Sequence, residues 1–121
     1  MDFKDLLAYK KSFELAMEIF EITKSFPKEE TYSLTDQIRR SSRSVCANIA
    51  ESYRKRRYPK HFISKLSDSD SENAETQVWL EFSEASRYIS REKKGELMNK
   101  CSEVGKLINY MINNPKKFGS F

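Results

Sequence analysis

At 121 residues and 14.3 kDa the chain suffices for one domain with a modest core and is too short for two. Six residues in all are Gly or Pro, charged residues make up 33% and mean hydropathy is −0.75, which argues against a turn-rich β protein and a membrane span. The net charge of +4 conceals four blocks, of −3 (1–38), +8 (39–65), −6 (66–86) and +5 (87–121), a segregation that bears on partners rather than on fold.

The first helix is expected over residues 4–25. At about 100° per residue, Leu6, Phe13, Met17 and Phe20 share one side, flanked by Phe3, Tyr9 and Ala16. Ala8, Leu15, Ile19 and Ile22 share the opposite side. A helix apolar on two opposed faces is buried on both, so one stripe is expected against another subunit. Ala8, Leu15, Ile19 and Ile22 are assigned to that oligomer interface. Phe26-Pro27 ends the helix.

The second helix is expected over 34–57, with Ser33 as cap and Asp36 completing a capping box. Leu34, Ile38, Val45 and Ile49 form its apolar face. Arg39, Arg43 and Arg54, with Arg40 nearby, form a basic face opened by the small Ala47 and Ala50. The basic run continues through Lys55, Arg56, Arg57 and Lys60, and Pro59 suits the first turn of the next helix.

The third helix, 60–89, opens with Phe62, Ile63 and Leu66 and closes with Val78, Phe82, Ala85 and Ile89. Between them run seven polar residues, Ser67 to Asn73. Composition alone suggests a loop there. The absence of Gly and Pro favours a continuous helix, with the small Ser67, Ser71 and Ala74 against a neighbour and the acids toward the arginines of the second helix.

The fourth helix, 91–113, starts at Ser90 and carries Leu97, Cys101, Val104, Ile108 and Met111 at the spacing of a bundle seam. Asn113-Asn114-Pro115 stops it, leaving 114–121 as a tail. Four helices of about 30 to 42 Å at 1.5 Å per residue, joined by short connections, predict an all-α, antiparallel up-down four-helix bundle in a single domain.

Little points to catalysis. His61 lies beside Lys60 with no orienting carboxylate nearby, Cys46 and Cys101 sit on or beside apolar stripes as packing residues, and a phosphate-cradling glycine loop is lacking. Asp68, Asp70, Glu72 and Glu75 alternate like a calcium loop, but its sixth and twelfth positions hold Asn73 and Trp79 rather than Gly and Glu. A magnesium-dependent nuclease built from these acids is the weaker alternative to ion pairing or solvation. No metal, cofactor or enzymatic activity is expected.

The basic stretch carries the functional signal. Arg39, Arg40, Arg43, Arg54, Lys55, Arg56, Arg57 and Lys60 suit phosphates, with Tyr53 and Tyr58 either stacking on unpaired bases or closing the bundle end. The competing reading has these cations consumed by the acidic block of a neighbouring helix or subunit.

Phe26 to Ser52, FPKEETYSLTDQIRRSSRSVCANIAES, resembles the four helix bundle proteins encoded by intervening sequences in bacterial 23S rRNA genes. The likeness continues through Glu75–Leu80, Tyr88-Ile89 and Gly105–Phe118. Such proteins are similar to the accessory protein of diversity-generating retroelements, a basic homopentamer associated with reverse transcriptase and nucleic acid. The resemblance implies a homo-oligomeric ring, a pentamer; two cysteines outside any CxxC or disulfide-dense pattern fit a cytoplasmic setting, and the basic stretch points to nucleic acid, RNA first, with a scaffold recruiting a partner such as a reverse transcriptase as the alternative. Ser52 and Arg87 stand where these proteins usually carry Gly, and Ser41 and Ser42 where they carry small apolar residues; the first change lets the second helix run on into Tyr53.

Overall fold

The computed structural model describes all 121 residues as four helices with no strand: α1 (Leu7–Thr23), α2 (Leu34–Arg54), α3 (Pro59–Ala85) and α4 (Arg91–Asn113). Cross-helix bonds set an antiparallel register around the bundle. Thr23 bonds Arg39 while the Tyr9 carbonyl accepts from Cys46, and Val45 accepts from Ser69 while Ser41 meets Thr76. Glu81 pairs with Lys94 and the Cys101 carbonyl accepts from Asn73; Glu18 takes Lys93 and Lys100 while Lys11 reaches Glu103.

The ends differ from expectation for local reasons. Asp2 caps a separate 3₁₀ turn, Phe3–Asp5, and Leu6 is extended and buried, so α1 starts at Leu7. Ser33 occupies the cap position of α2 without capping it. Its hydroxyl donates to Glu30 Oε1, and Glu30 in turn accepts from the Leu34 amide. The Ser33 bond, then one donated by the Tyr88 hydroxyl and then that of the Leu34 amide, hold the Glu30 carboxyl below its ordinary pKa. The second helix does run through Tyr53 but stops at Arg54 instead of residue 57: the Lys55 amide closes it on the Glu51 and Ser52 carbonyls, and a turn leads to Tyr58, extended before Pro59. Ser90 caps α4 as expected, accepting from the Lys93 amide.

Helix α3 is continuous through the polar run, and its C-terminal half faces the other way from the expectation. Phe62, Leu66, Ser69, Asn73, Thr76, Leu80 and Ser83 are its buried line, whereas Val78 and Phe82 are 48% and 54% exposed. Hydrogen bonding makes this polar line a core face: Ser69 Oγ donates to the Val45 carbonyl at 2.7 Å, Ser41 and Thr76 share a hydroxyl contact at 2.8 Å, and Asn73 Nδ2 donates to the Cys101 carbonyl at 2.9 Å. Buried polar groups are tolerated when partnered in this way. Ser67, Ser71 and Ala74, expected at that contact, lie outside it.

The inward stripe of α1 is also the reverse of the expectation. Ala8, Leu15 and Ile19 are buried in the subunit's own core and Ile22 packs against it, so these four are not available as an oligomer interface. Of the other stripe Leu6 is buried, just before α1, whereas within the helix Phe13 and Met17 are 50% and 44% exposed. Compact Ala8 and Ser12 lie on the buried line of α1, while the Phe3, Tyr9 and Phe13 rings form an outer row with centroids 5.2 and 6.0 Å apart.

Helix α3 ends at Ala85 rather than 89. The Tyr88 amide reaches back to the Ser83 carbonyl and that of Arg87 to Glu84, a Schellman closure with Arg87 at φ 64°. Glycine, which has no Cβ, occupies this left-handed conformation without steric cost, whereas an L-residue pays about 1–2 kcal/mol. Arg87→Gly is therefore expected to raise stability by about 1 kcal/mol, read as a higher urea midpoint at unchanged slope. Tyr88 then locks the corner, donating to Glu30 Oε2 at 2.8 Å and packing on Phe26.

The expected tail is folded. Pro115–Phe118 forms a 3₁₀ turn, Phe118 packs edge-on against Tyr110, and Ser120 is buried.

Candidate nucleic-acid interface

The structure divides the eight basic candidates into two groups about 20 Å apart along α2. Arg39, Arg40 and Arg43 lie toward its N-terminal half. Arg39 is half-buried, its Nε donating to Thr23 Oγ1 at 2.7 Å and its guanidinium 4.7 Å from the Phe20 ring centroid. Arg43 reaches the same ring at 5.6 Å, and Arg40 approaches Asp36 at 3.9 Å on the surface. Only Arg40 of the three has an acidic partner.

Arg54, Lys55, Arg56, Arg57 and Lys60 gather at the α2–α3 corner because the helix break before Pro59 turns the run across one end of the bundle. None has a carboxylate within 4 Å; the one ion pair between α2 and α3 joins Glu51 to Lys65 at 3.0 Å. Arg56 is held in place, its Nη1 donating to the Tyr53 carbonyl at 2.8 Å and its guanidinium 4.0 Å above the Tyr53 ring. Gly119, at φ 83°, lies against the Arg56 side chain, and Arg54, Arg56, Arg57 and Gly119 line a shared open concavity.

The two tyrosines differ. Tyr53 is a core residue beneath Arg56 and is closed to a base, whereas Tyr58 is 58% exposed beside His61. The folded tail brings Lys116 and Lys117 to the same end, with Lys117 donating to the Tyr110 hydroxyl at 2.9 Å. Sequence reasoning missed these two cations. Their position follows from helix count, since in a four-helix up-down bundle the C-terminus returns beside the α2–α3 turn.

The expected acid–arginine contact within the subunit does not form. Asp68, Glu72 and Glu75 carry no cation within 4 Å. Burial, then Glu75 and Asp68, pushes the Glu72 carboxyl above its ordinary pKa. No three His, Cys, Asp or Glu side chains converge as metal ligands. Burial also raises both thiols, Cys101 to about 12, which keeps them protonated and poorly nucleophilic at neutral pH. No helix is long and apolar enough to cross a membrane.

A family model described as 23S rRNA-intervening sequence protein matches residues 4–110. Among solved structures, a protein of unknown function from the S23 ribosomal protein family of Bacteroides thetaiotaomicron is similar at 32% identity and a TM-score of 0.80, over 91% of this chain and 98% of that one. No curated protein matches the sequence significantly.

Proposed function

We propose, from the premise that this chain belongs to the 23S rRNA-intervening sequence protein family, that it is a non-enzymatic nucleic-acid-binding protein engaging RNA phosphates through the basic end of its bundle. The observation that carries the reading is the α2–α3 corner, where Arg54, Lys55, Arg56, Arg57 and Lys60 stand with no acidic partner. Cations that are not consumed internally remain available to a polyanion. Arg56, fixed on Tyr53, supplies an oriented guanidinium, and exposed Tyr58 offers a face on which an unpaired base can stack.

In this reading the protein is cytoplasmic and its subunits form a homo-oligomeric ring, a pentamer by the family resemblance, that repeats the basic end around one axis. Contacts made together then raise apparent affinity through effective concentration.

Filter binding of rRNA fragments across a salt series tests the proposal. Single-stranded contacts lower the logarithm of affinity by about 0.7 per contact per decade of salt, so five cations predict a slope of about −3.5. No binding at low salt, or a slope near zero, would sink it.

A further inference from the structure

Within one subunit the arginines of α2 and the acids of α3 stand at similar heights without meeting. The C-terminus of α2 and the N-terminus of α3 share an end of the bundle, and Arg43 lies 11 residues from the one while Asp68 lies 9 from the other. At 1.5 Å per residue both sit about 14–17 Å from that end, a level marked by the adjacent Ser69–Val45 bond. Rotation about an axis parallel to the bundle preserves height, so in a cyclic assembly about such an axis the α2 arginines of one copy stand level with the α3 acids of the next.

The surfaces between those charges also match. Helices α1 and α2 enclose an open apolar groove of about 370 Å³, walled by Phe3, Tyr9, Phe13 and Met17, narrowed little by Ala47 and Ala50, and closed at one end by Arg43. Between residues 64 and 75 the exposed line of α3 is low in profile, with Ser64, Ser67, Ser71 and Ala74 beside Asp68 and Glu75. A ridge of short side chains can sit deep between two helices.

We infer that the α1–α2 groove of one subunit seats the α3 ridge of a second copy, with Arg40 and Arg43 against Asp68 and Glu72. The contact is heterologous, and such contacts close into rings when the rotation allows. It rests on the oligomer reading above, and it assigns Arg40 and Arg43 to assembly, leaving the α2–α3 corner for RNA.

Light scattering of the full chain with circular dichroism as a folding control provides the test. The wild type is expected as an oligomer. Arg43→Glu, Asp68→Arg and Phe13→Glu, all at exposed positions, are each expected to reduce it to folded 14.3 kDa subunits, and Arg43→Glu combined with Asp68→Arg to restore it. A monomeric wild type overturns both this inference and the oligomer reading. An oligomer indifferent to Arg43→Glu and Phe13→Glu overturns the inference alone, as does failure of the double variant to recover. Loss of RNA binding in Phe13→Glu with the oligomer intact would instead place nucleic acid in the groove and overturn it too.

Discussion

Replacing Arg54, Lys55, Arg57 and Lys60 together with glutamine is expected to weaken RNA binding by two to three orders of magnitude at 0.1 M salt. Each lost single-strand contact removes about 0.7 logarithmic units at that concentration, so four remove about 2.8, and the salt slope flattens by the same amount. All four side chains are exposed and none holds an ion pair, so the fold should not change. Arg56 is left in place because it packs on Tyr53 and against Gly119. Neutralising Lys24, Lys28, Arg87 and Arg91 at the opposite end removes the same charge and should change affinity far less. Equal losses from the two sets would show that total charge, rather than the corner, governs binding.

Phe62→Ala is expected to cost about 3–5 kcal/mol. The ring is fully buried in the first turn of α3 and belongs to the core cluster that includes Ile49, Tyr53, Leu66 and Ile108. Domains of this size have about 5–15 kcal/mol in total, so the variant should lose much of its stability. Phe62→Leu, which keeps more of the volume, should lose less. Urea midpoints at constant slope measure both, and a Phe62→Ala loss under 1 kcal/mol would mean that the core relaxes around the cavity.

The helix count, the breaks at Pro27, Pro59 and Pro115, and the α4 seam from Leu97 to Met111 were legible because each rests on a strong local signal. The inward stripe of α1 was not. Both its faces are apolar, and the choice between them is made by packing against the other helices, which is a tertiary property. Helix α3 misled for a related reason: hydropathy scores Ser69, Asn73 and Thr76 as surface residues, whereas their partners Val45, Cys101 and Ser41 lie 24 to 35 positions away. The basic candidates were all visible as residues, but their separation into an α2 group and a corner group appeared only once the helix end at Arg54 was located. Lys116 and Lys117 were overlooked because their segment reads as a tail, although Phe118 and Ser120 anchor it.

An even number of helices returns Met1 and Phe121 to the end that carries the α2–α3 corner, and the closing turn there touches Arg56. A purification handle or fluorescent fusion on either terminus would consequently stand over the cationic surface and compete for its ligand. The 24–33 and 86–90 connections at the far end are the places where a probe can be carried without shadowing it.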